Sequence, residues 1–384
     1  MKKIKKIKIL SIIDSLELEK GGPSHSLIDI AIANQKNKIQ HDILFLGKKI
    51  KKKQKNKINI ISLDNSILKY GFSLKLIFWL LKNRKNYDLF IVHGLWQFIT
   101  LASRFLLRNK YLVFTHGMLD PYFGTENFKT LKKKIYWILF EKKNLLKAKF
   151  VLSNSNKEFR QFKKTFVNTN GIKFKNVNYG IFPKSLDFKI CKEKFLKKFP
   201  FVENKKTILF MNRIDPKKGC DLLIKSFAKI KNKRNHLLLI AGDTNSKYGK
   251  KMIKLKNELK QNNHIYFLNF LKDQIKWGAY EYSNFSILPS HGENFGVSVV
   301  ESLFTKTPII CSKKVGISNY IKKYKAGMVI NNNNEQSIIS NLEKSFLLNK
   351  EKNKKLKENS FKCFNENFNY SNNHEFSDWI KKIL

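Results

Sequence analysis

Short apolar runs alternate with longer stretches of helical periodicity from one end of the chain to the other. In the first half, strands are predicted near 7–13, 41–46, 57–63, 88–92, 111–115 and 150–154. Helices fall between them near 24–38, 72–84, 96–108, 127–147 and 156–167, and a strand near 176–181 closes the series. The second half repeats the rhythm, with strands near 207–212, 236–241, 265–268, 285–289, 308–312 and 327–330. These runs are apolar throughout, as in strands of a parallel sheet covered on both faces. Two such series imply two doubly wound α/β domains. The rhythm breaks within 182–205, which places the domains at 1–190 and 191–368. Beyond 331 the chain is helical and polar, and residues 369–384 form a closing helix.

Composition changes this picture little. A chain of 384 residues with 42% hydrophobic residues and 32 Phe can bury two cores. Its formal charge of +47 invites a nucleic-acid or anionic-membrane partner. The lysines, however, are spread along the whole chain, as joint over-use of Lys, Asn, Ile and Phe would produce. The run "KKIKKKQKNK" at 48–57 reads as an exposed basic loop. The four cysteines, Cys191, Cys220, Cys311 and Cys363, form no C-x-x-C pair, which suits a reduced cytoplasmic protein. The apolar run Ile7–Ile13 is broken by Lys8 and stopped by Asp14, too short for a signal-peptide core. The stretch 72–81 is far shorter than the ~20 residues of a membrane span.

Open α/β sheets bind ligands at the carboxyl ends of their strands, so the loops there carry the candidate chemistry. After the first strand, Gly21 and Gly22 precede a helix that Ser24 can cap, an arrangement suited to a phosphate. The G-x-G-x-x-G spacing of a dinucleotide site is absent. After the strand at 207–212 come Arg213 and, five positions on, Lys218-Gly219; two cations there can hold a diphosphate. After the strand at 285–289 the turn "SHGENFG" carries Glu293, and Glu301 follows on a helix. Two carboxylates can serve as an acid/base pair, or as a cap and a solvated helix residue; spacing alone leaves both open.

In combination these elements resemble one family. Glu293 and Glu301 match the E-x7-E motif of the retaining GT-B glycosyltransferases of family 4, and Arg213 with Lys218-Gly219 matches its R-x4-K-G element. "HGLWQF" (93–98), "VFTHGMLDPYF" (113–123) and "SHGENFG" are similar to a bacterial subgroup that makes surface polysaccharides. The resemblance covers nearly the whole chain. It implies two Rossmann-like domains facing across a cleft, with the C-terminal helix returning to the first. It also implies a hexosyltransferase-type enzyme that moves a sugar with retention of configuration, without a metal or other cofactor. The donor would be a UDP- or GDP-sugar, and the acceptor a glycan or lipid-linked glycan in lipopolysaccharide, O-antigen or exopolysaccharide synthesis. By the same resemblance, Glu301 binds the ribose and Glu293 lies near the sugar. Backbone amides of Asn294, Phe295, Gly296 and Val297 touch sugar and phosphate. Arg213 and Lys218 neutralise the diphosphate, with help from the Gly22 backbone, and His116 faces the transferred sugar. His93 and Asp120 are acceptor-side candidates. No D-x-D motif occurs in the chain, which disfavours a metal-bound diphosphate. Asn319 stands where the family often has a glutamate.

Two other readings share the scaffold. A GT-B-fold sugar-nucleotide epimerase would use the same nucleotide contacts without an acceptor site. A basic nucleic-acid-binding protein would cluster its cations with aromatics on one face; neither that nor an RNA-binding motif is present, so no nucleic acid is expected as partner. The enzyme is placed in the cytoplasm, at the inner face of the membrane if its basic surface and the amphipathic stretch 72–84 make peripheral contact with anionic lipid.

Overall fold

In a computed structural model, the structure describes residues 6–16, 22–47, 58–63, 70–119, 128–162, 167–177, 180–181, 183, 185–371 and 374–384. The chain divides into two units: Met1–Phe182 with Tyr370–Leu384, and Pro183–Asn369. The break falls at the start of the stretch where the strand rhythm lapses, so the helix beginning at Phe188 belongs wholly to the second unit.

The first unit runs β1 (Lys8–Ile13), α1 (Gly22–Lys36), β2 (Gln40–Leu46), β3 (Ile60–Leu63), α2 (Leu74–Asn83), β4 (Leu89–His93), α3 (Phe98–Leu106) and β5 (Tyr111–Phe114). It continues through α4 (Phe128–Tyr136), α5 (Lys142–Lys147), β6 (Phe150–Ser153), α6 (Asn156–Gln161) and β7 (Phe174–Asn176). All seven strands are parallel, in the order β3-β2-β1-β4-β5-β6-β7. The second unit runs α7 (Phe188–Lys198), β8 (Lys206–Met211), α8 (Cys220–Ala228), β9 (His236–Ala241), α9 (Lys247–Glu258), β10 (Ile265–Phe267), α10 (Asp273–Tyr282) and β11 (Phe285–Leu288). Then follow α11 (Val297–Phe304), β12 (Ile309–Ser312), α12 (Ser318–Tyr324), β13 (Gly327–Ile330), α13 (Glu335–Phe346) and α14 (Lys350–Asn367). Its six strands are parallel in the order β10-β9-β8-β11-β12-β13. The strand order reverses beside β1 in one unit and beside β8 in the other, so β1/β4 and β8/β11 are the switch points where such sheets take ligands.

The sheet strands are buried nearly end to end, as their unbroken apolar runs require. The final helix, α15 (Glu375–Ile383), packs within the first unit. Trp379 meets Phe150 edge-on at 5.4 Å, and Ser377 bonds Asn34 and Asn37 of α1 and the loop after it.

Three expectations are revised. The strand expected at 176–181 lies earlier, at Phe174–Asn176, because its partner β6 ends at Ser153, opposite Asn176, and offers no ladder beyond it. The strand expected from 57 begins at Ile60. The helix expected over 127–147 is interrupted by a π-helical turn at Trp137–Glu141, which rotates α5 relative to α4 and buries Glu141 completely. The basic run at 48–57 lies outside the described residues.

Candidate functional site

In the second unit, the loops after β8 and β11 are adjacent because their strands are, and several contacts join them. The β8 loop passes Arg213 and enters a 3-10 turn, Pro216–Lys218, capped by the Asp215 carboxylate on the Lys217 amide at 2.9 Å. Gly219 then takes a left-handed conformation, φ 73°, and starts α8. A Cβ there would sit 2.2 Å from the Pro289 carbonyl oxygen at the end of β11, so only glycine lets the two loops touch. From the β11 side, the His291 amide and the Ser290 hydroxyl both donate to the Lys217 carbonyl at 2.8 Å. The Lys218 ammonium reaches the Glu293 carboxylate directly. One turn further, the Asn212 amide donates to the Ser298 hydroxyl on α11 at 2.9 Å. The two motifs that are 75 residues apart in sequence at Lys218 and Glu293 are therefore one structure.

The turn that carries Glu293 is itself held from the other side. The Glu293 carbonyl accepts from the Gly316 amide at 2.8 Å, forming a parallel bridge with Val315. Gly296, φ 87°, caps α11 against Val315. A helix start leaves its first amides without intrahelical partners, and here it lies next to the Asn294 side-chain Nδ2, a buried donor with no partner. A donor buried without an acceptor costs about 1–3 kcal/mol. Such a group is one a bound oxygen would satisfy.

Glu301 sits on the first two turns of α11 and is 6% exposed. Its carboxylate is held by two residues of α10: Lys276, with Nζ 2.5 Å from Oε1, and Tyr280, whose hydroxyl donates to Oε2 at 3.3 Å. Neither was singled out from the sequence. Their i, i+4 spacing puts both on one helical face, but nothing in the local pattern says that this face meets Glu301. Each carboxylate oxygen keeps an acceptor site, so Glu301 can still take hydrogen bonds from vicinal hydroxyls.

Arg213 is exposed at the mouth of this cluster, near enough to Lys218 to act on it electrostatically. Burial, with Arg213 and Lys217 close by, pulls the Lys218 ammonium below the ordinary lysine range, to about 7, with Asp215 opposing. The Glu293 carboxylate in contact with it favours the charged form. Asn319 is exposed on the first turn of α12.

In the first unit the sequence candidates divide. His116 lies two residues past β5 with φ 47°, a left-handed conformation uncommon outside glycine. Its Nε2 is 2.8 Å from Nδ1 of His93, and its ring stacks on Phe114 at 4.7 Å. His93, the last residue of β4, is only 2% exposed, with its ring nitrogens engaged by Ser11 and His116. The ring is enclosed by its own sheet and bonded to His116, the other histidine candidate of this unit. Gly22 is the first residue of α1. Gly21 and Asp120 lie outside the described residues.

With this geometry in view, residues 192–362 match the family described as glycosyl transferases group 1. The chain is also 28% identical over 174 residues to an uncharacterized glycosyltransferase of Methanocaldococcus jannaschii, a match covering 44% of each. It thus spans less than half the length of that curated relative. Among solved structures, the sucrose-phosphate synthase of Thermosynechococcus elongatus has a TM-score of 0.77 at 16% identity, covering 98% of both chains. HepE of Anabaena, in complex with UDP and glucose, has a TM-score of 0.75 at 18% identity, covering 98% of this chain and 100% of its own. At these identities the likeness establishes the fold: two Rossmann-like sheets of the GT-B glycosyltransferase type.

Proposed function

We propose, from a chain whose second unit carries a group 1 glycosyltransferase domain, that the protein transfers a hexosyl unit from a UDP- or GDP-sugar. The transfer retains configuration, needs no metal, and serves a glycan or lipid-linked glycan of a surface polysaccharide. The observation that carries this reading is the joined pair of loops at the β8/β11 switch point. There the Lys218–Glu293 pair joins the two loops, and Glu301, paired with Lys276, sits on the helix that starts beside them. A solved relative in fold holds UDP and glucose.

Chemically, breaking the sugar–phosphate bond places negative charge on the departing diphosphate. Arg213 and Lys218 are set to bind that charge more tightly as it develops, which lowers the barrier. Glu301 holds the ribose hydroxyls, while Glu293 orients Lys218 and faces the sugar with the orphaned Asn294 amide. Retention proceeds by attack on the face the leaving group vacates, with the leaving phosphate taking the acceptor's proton. This assigns no carboxylate the role of base.

Calorimetric titration of UDP-, GDP- and ADP-sugars, with and without EDTA, tests the reading. One nucleotide sugar should bind equally well in both conditions. If none binds, or if binding requires a divalent ion, the proposal fails. A pH series adds a second check. The diphosphate of a nucleotide sugar does not titrate near neutrality, and its binding favours protonated Lys218. Affinity should therefore be flat below about 7 and fall as pH rises beyond it, by up to about tenfold per pH unit. Constant affinity from pH 6 to 9 would show that Lys218 does not face the diphosphate.

The membrane side of the reading rests on the first unit. Helix α3 packs against α2 and α5, α4 runs into α5 through the π turn, and the four leave large apolar side chains outside: Phe78 is 68% exposed, Ile138 67% and Phe105 65%. Leu74, Phe78 and Leu81 form one stripe, and Leu131, Ile135 and Ile138 another. Lys75, Lys82, Lys132, Lys134 and Lys143 lie exposed among them. The one acid on these helices, Glu141, is buried, and burial pushes its carboxyl up to about 8. Apolar stripes with cations and no anion suit an anionic bilayer surface. No described helix is long and apolar enough to cross a membrane. The protein should sediment with phosphatidylglycerol vesicles, release at high salt, and bind less after Phe78→Ser. Retention in the supernatant would remove the membrane while leaving nucleotide-sugar binding to be judged separately.

A further inference from the structure

A continuous run of hydrogen bonds crosses the buried interior of the first unit and ends at His116. The Asn37 amide donates to the Ala33 carbonyl at 3.0 Å and to Ser377 Oγ of α15 at 3.2 Å. Ser377 Oγ is 2.8 Å from Asn34 Oδ1, and Asn34 Nδ2 is 2.8 Å from His41 Nδ1. His41 Nε2 lies 2.8 Å from Ser11 Oγ, Ser11 Oγ lies 3.0 Å from His93 Nε2, and His93 Nδ1 lies 2.8 Å from His116 Nε2. Ser377, Asn34, His41, Ser11 and His93 are each no more than 3% exposed. The run joins five separate elements, and no sequence motif connects them.

A neutral imidazole has one donor and one acceptor nitrogen, and a hydroxyl has one hydrogen. A chain of such groups can therefore point only one way or the other. Its far end decides which. Asn37 donates to Ser377 Oγ, so the Ser377 hydrogen goes to Asn34 Oδ1, and the Asn34 Nδ2 group faces His41. The opposite polarity would make Ser377 Oγ accept from both Asn34 and Asn37 and would take away Asn34 Oδ1, the acceptor of the Ser377 hydrogen. With Asn34 as donor, His41 accepts at Nδ1 and donates from Nε2. Ser11 then donates to His93 Nε2, and His93 donates from Nδ1 to His116 Nε2.

We propose that Asn34, acting through His41, Ser11 and His93, fixes the tautomer of His116 with its proton on Nδ1 and its Nε2 held as an acceptor. His93, Ser11, His41 and Asn34 are positioning residues, and α15 anchors the polarity through Ser377. The three rings stay neutral because burial lowers each of them, His41 and His116 to about 3 and His93 well below its ordinary value. In this state His116 carries its proton at Nδ1 and cannot serve as a base at Nε2, which accepts from His93. That fits a transfer in which the leaving phosphate takes the proton. The role at a sugar rests on the transferase reading; the tautomer does not.

Long-range 1H–15N correlation of the full chain labelled in histidine, with His116 assigned by His116→Gln, tests the tautomer in the wild-type protein. A protonated Nδ1 and a bare Nε2 are expected, and the reverse pattern overturns the proposal. Ser11→Ala cuts the run between His41 and His93. It should give His116 a mixture of tautomers and lower kcat about tenfold, near the loss of one net hydrogen bond, while KM for the nucleotide sugar holds. Asn34→Leu should act alike, and Ser11→Thr should restore both readouts. Unchanged His116 signals in Ser11→Ala and Asn34→Leu would also overturn it. Because the resonances need no turnover, failure of the transferase reading leaves this test intact.

Discussion

Lys218→Ala should slow sugar transfer by about 10²–10³-fold, the ~2.7–4 kcal/mol typical of removing one preorganised group that binds developing negative charge. The geometry places its ammonium between two loops, in contact with the Glu293 carboxylate, and its side chain is 12% exposed. A cation so enclosed needs no rearrangement when the diphosphate gains charge. The loss should appear mainly in kcat, with a smaller rise in KM, because the interaction strengthens in the transition state. The fold should tolerate the change, since Glu293 keeps its backbone bridge to Val315 and retains partial exposure. Steady-state kinetics beside a thermal melt decide the matter. Transfer within threefold of wild type would place the diphosphate elsewhere.

The second large effect concerns Glu301. Glu301→Ala leaves the Lys276 ammonium, 13% exposed, without its carboxylate and the Tyr280 hydroxyl with only the Ser298 carbonyl at 3.2 Å. Breaking one side of a buried ion pair costs about 3–5 kcal/mol, which for a unit of this size lowers Tm by on the order of 10 °C. Nucleotide-sugar affinity should fall as well, which confounds folding with binding. The double variant Glu301→Gln with Lys276→Met separates them, because it removes both charges together. Its Tm should recover while its affinity stays low. Recovery of both would make Glu301 a structural ion-pair partner and take the ribose away from it.

The parallel sheets were legible because buried parallel strands must be apolar along their length, and runs such as Leu237–Ala241 or Leu89–Val92 have no other stable use. Arg213, Lys218, Glu293 and Glu301 were legible as candidates because loops at the carboxyl ends of parallel strands carry ligand-binding residues whatever the fold's details. Lys276 and Tyr280 were not, since a lysine among 76 cations has no signal of its own until a carboxylate is seen beside it. His93 looked like a loop residue in "HGLWQF"; the ladder with Phe114 instead makes it the buried end of β4. The π turn before α5 was hidden because Leu131, Ile135 and Ile138 keep helical spacing straight into it.

By itself, the sequence determined two doubly wound units, the loops at the carboxyl ends of their strands and the residue types able to hold a diphosphate. Those properties follow from local periodicity and from short spacings along one strand, turn and helix. Only the tertiary structure decided which groups share a bond: Lys218 with Glu293, Lys276 with Glu301, and the run from Ser377 to His116. Each of these joins elements brought together by strand order, and strand order is settled by how whole sheets bury their faces, a property no local window contains.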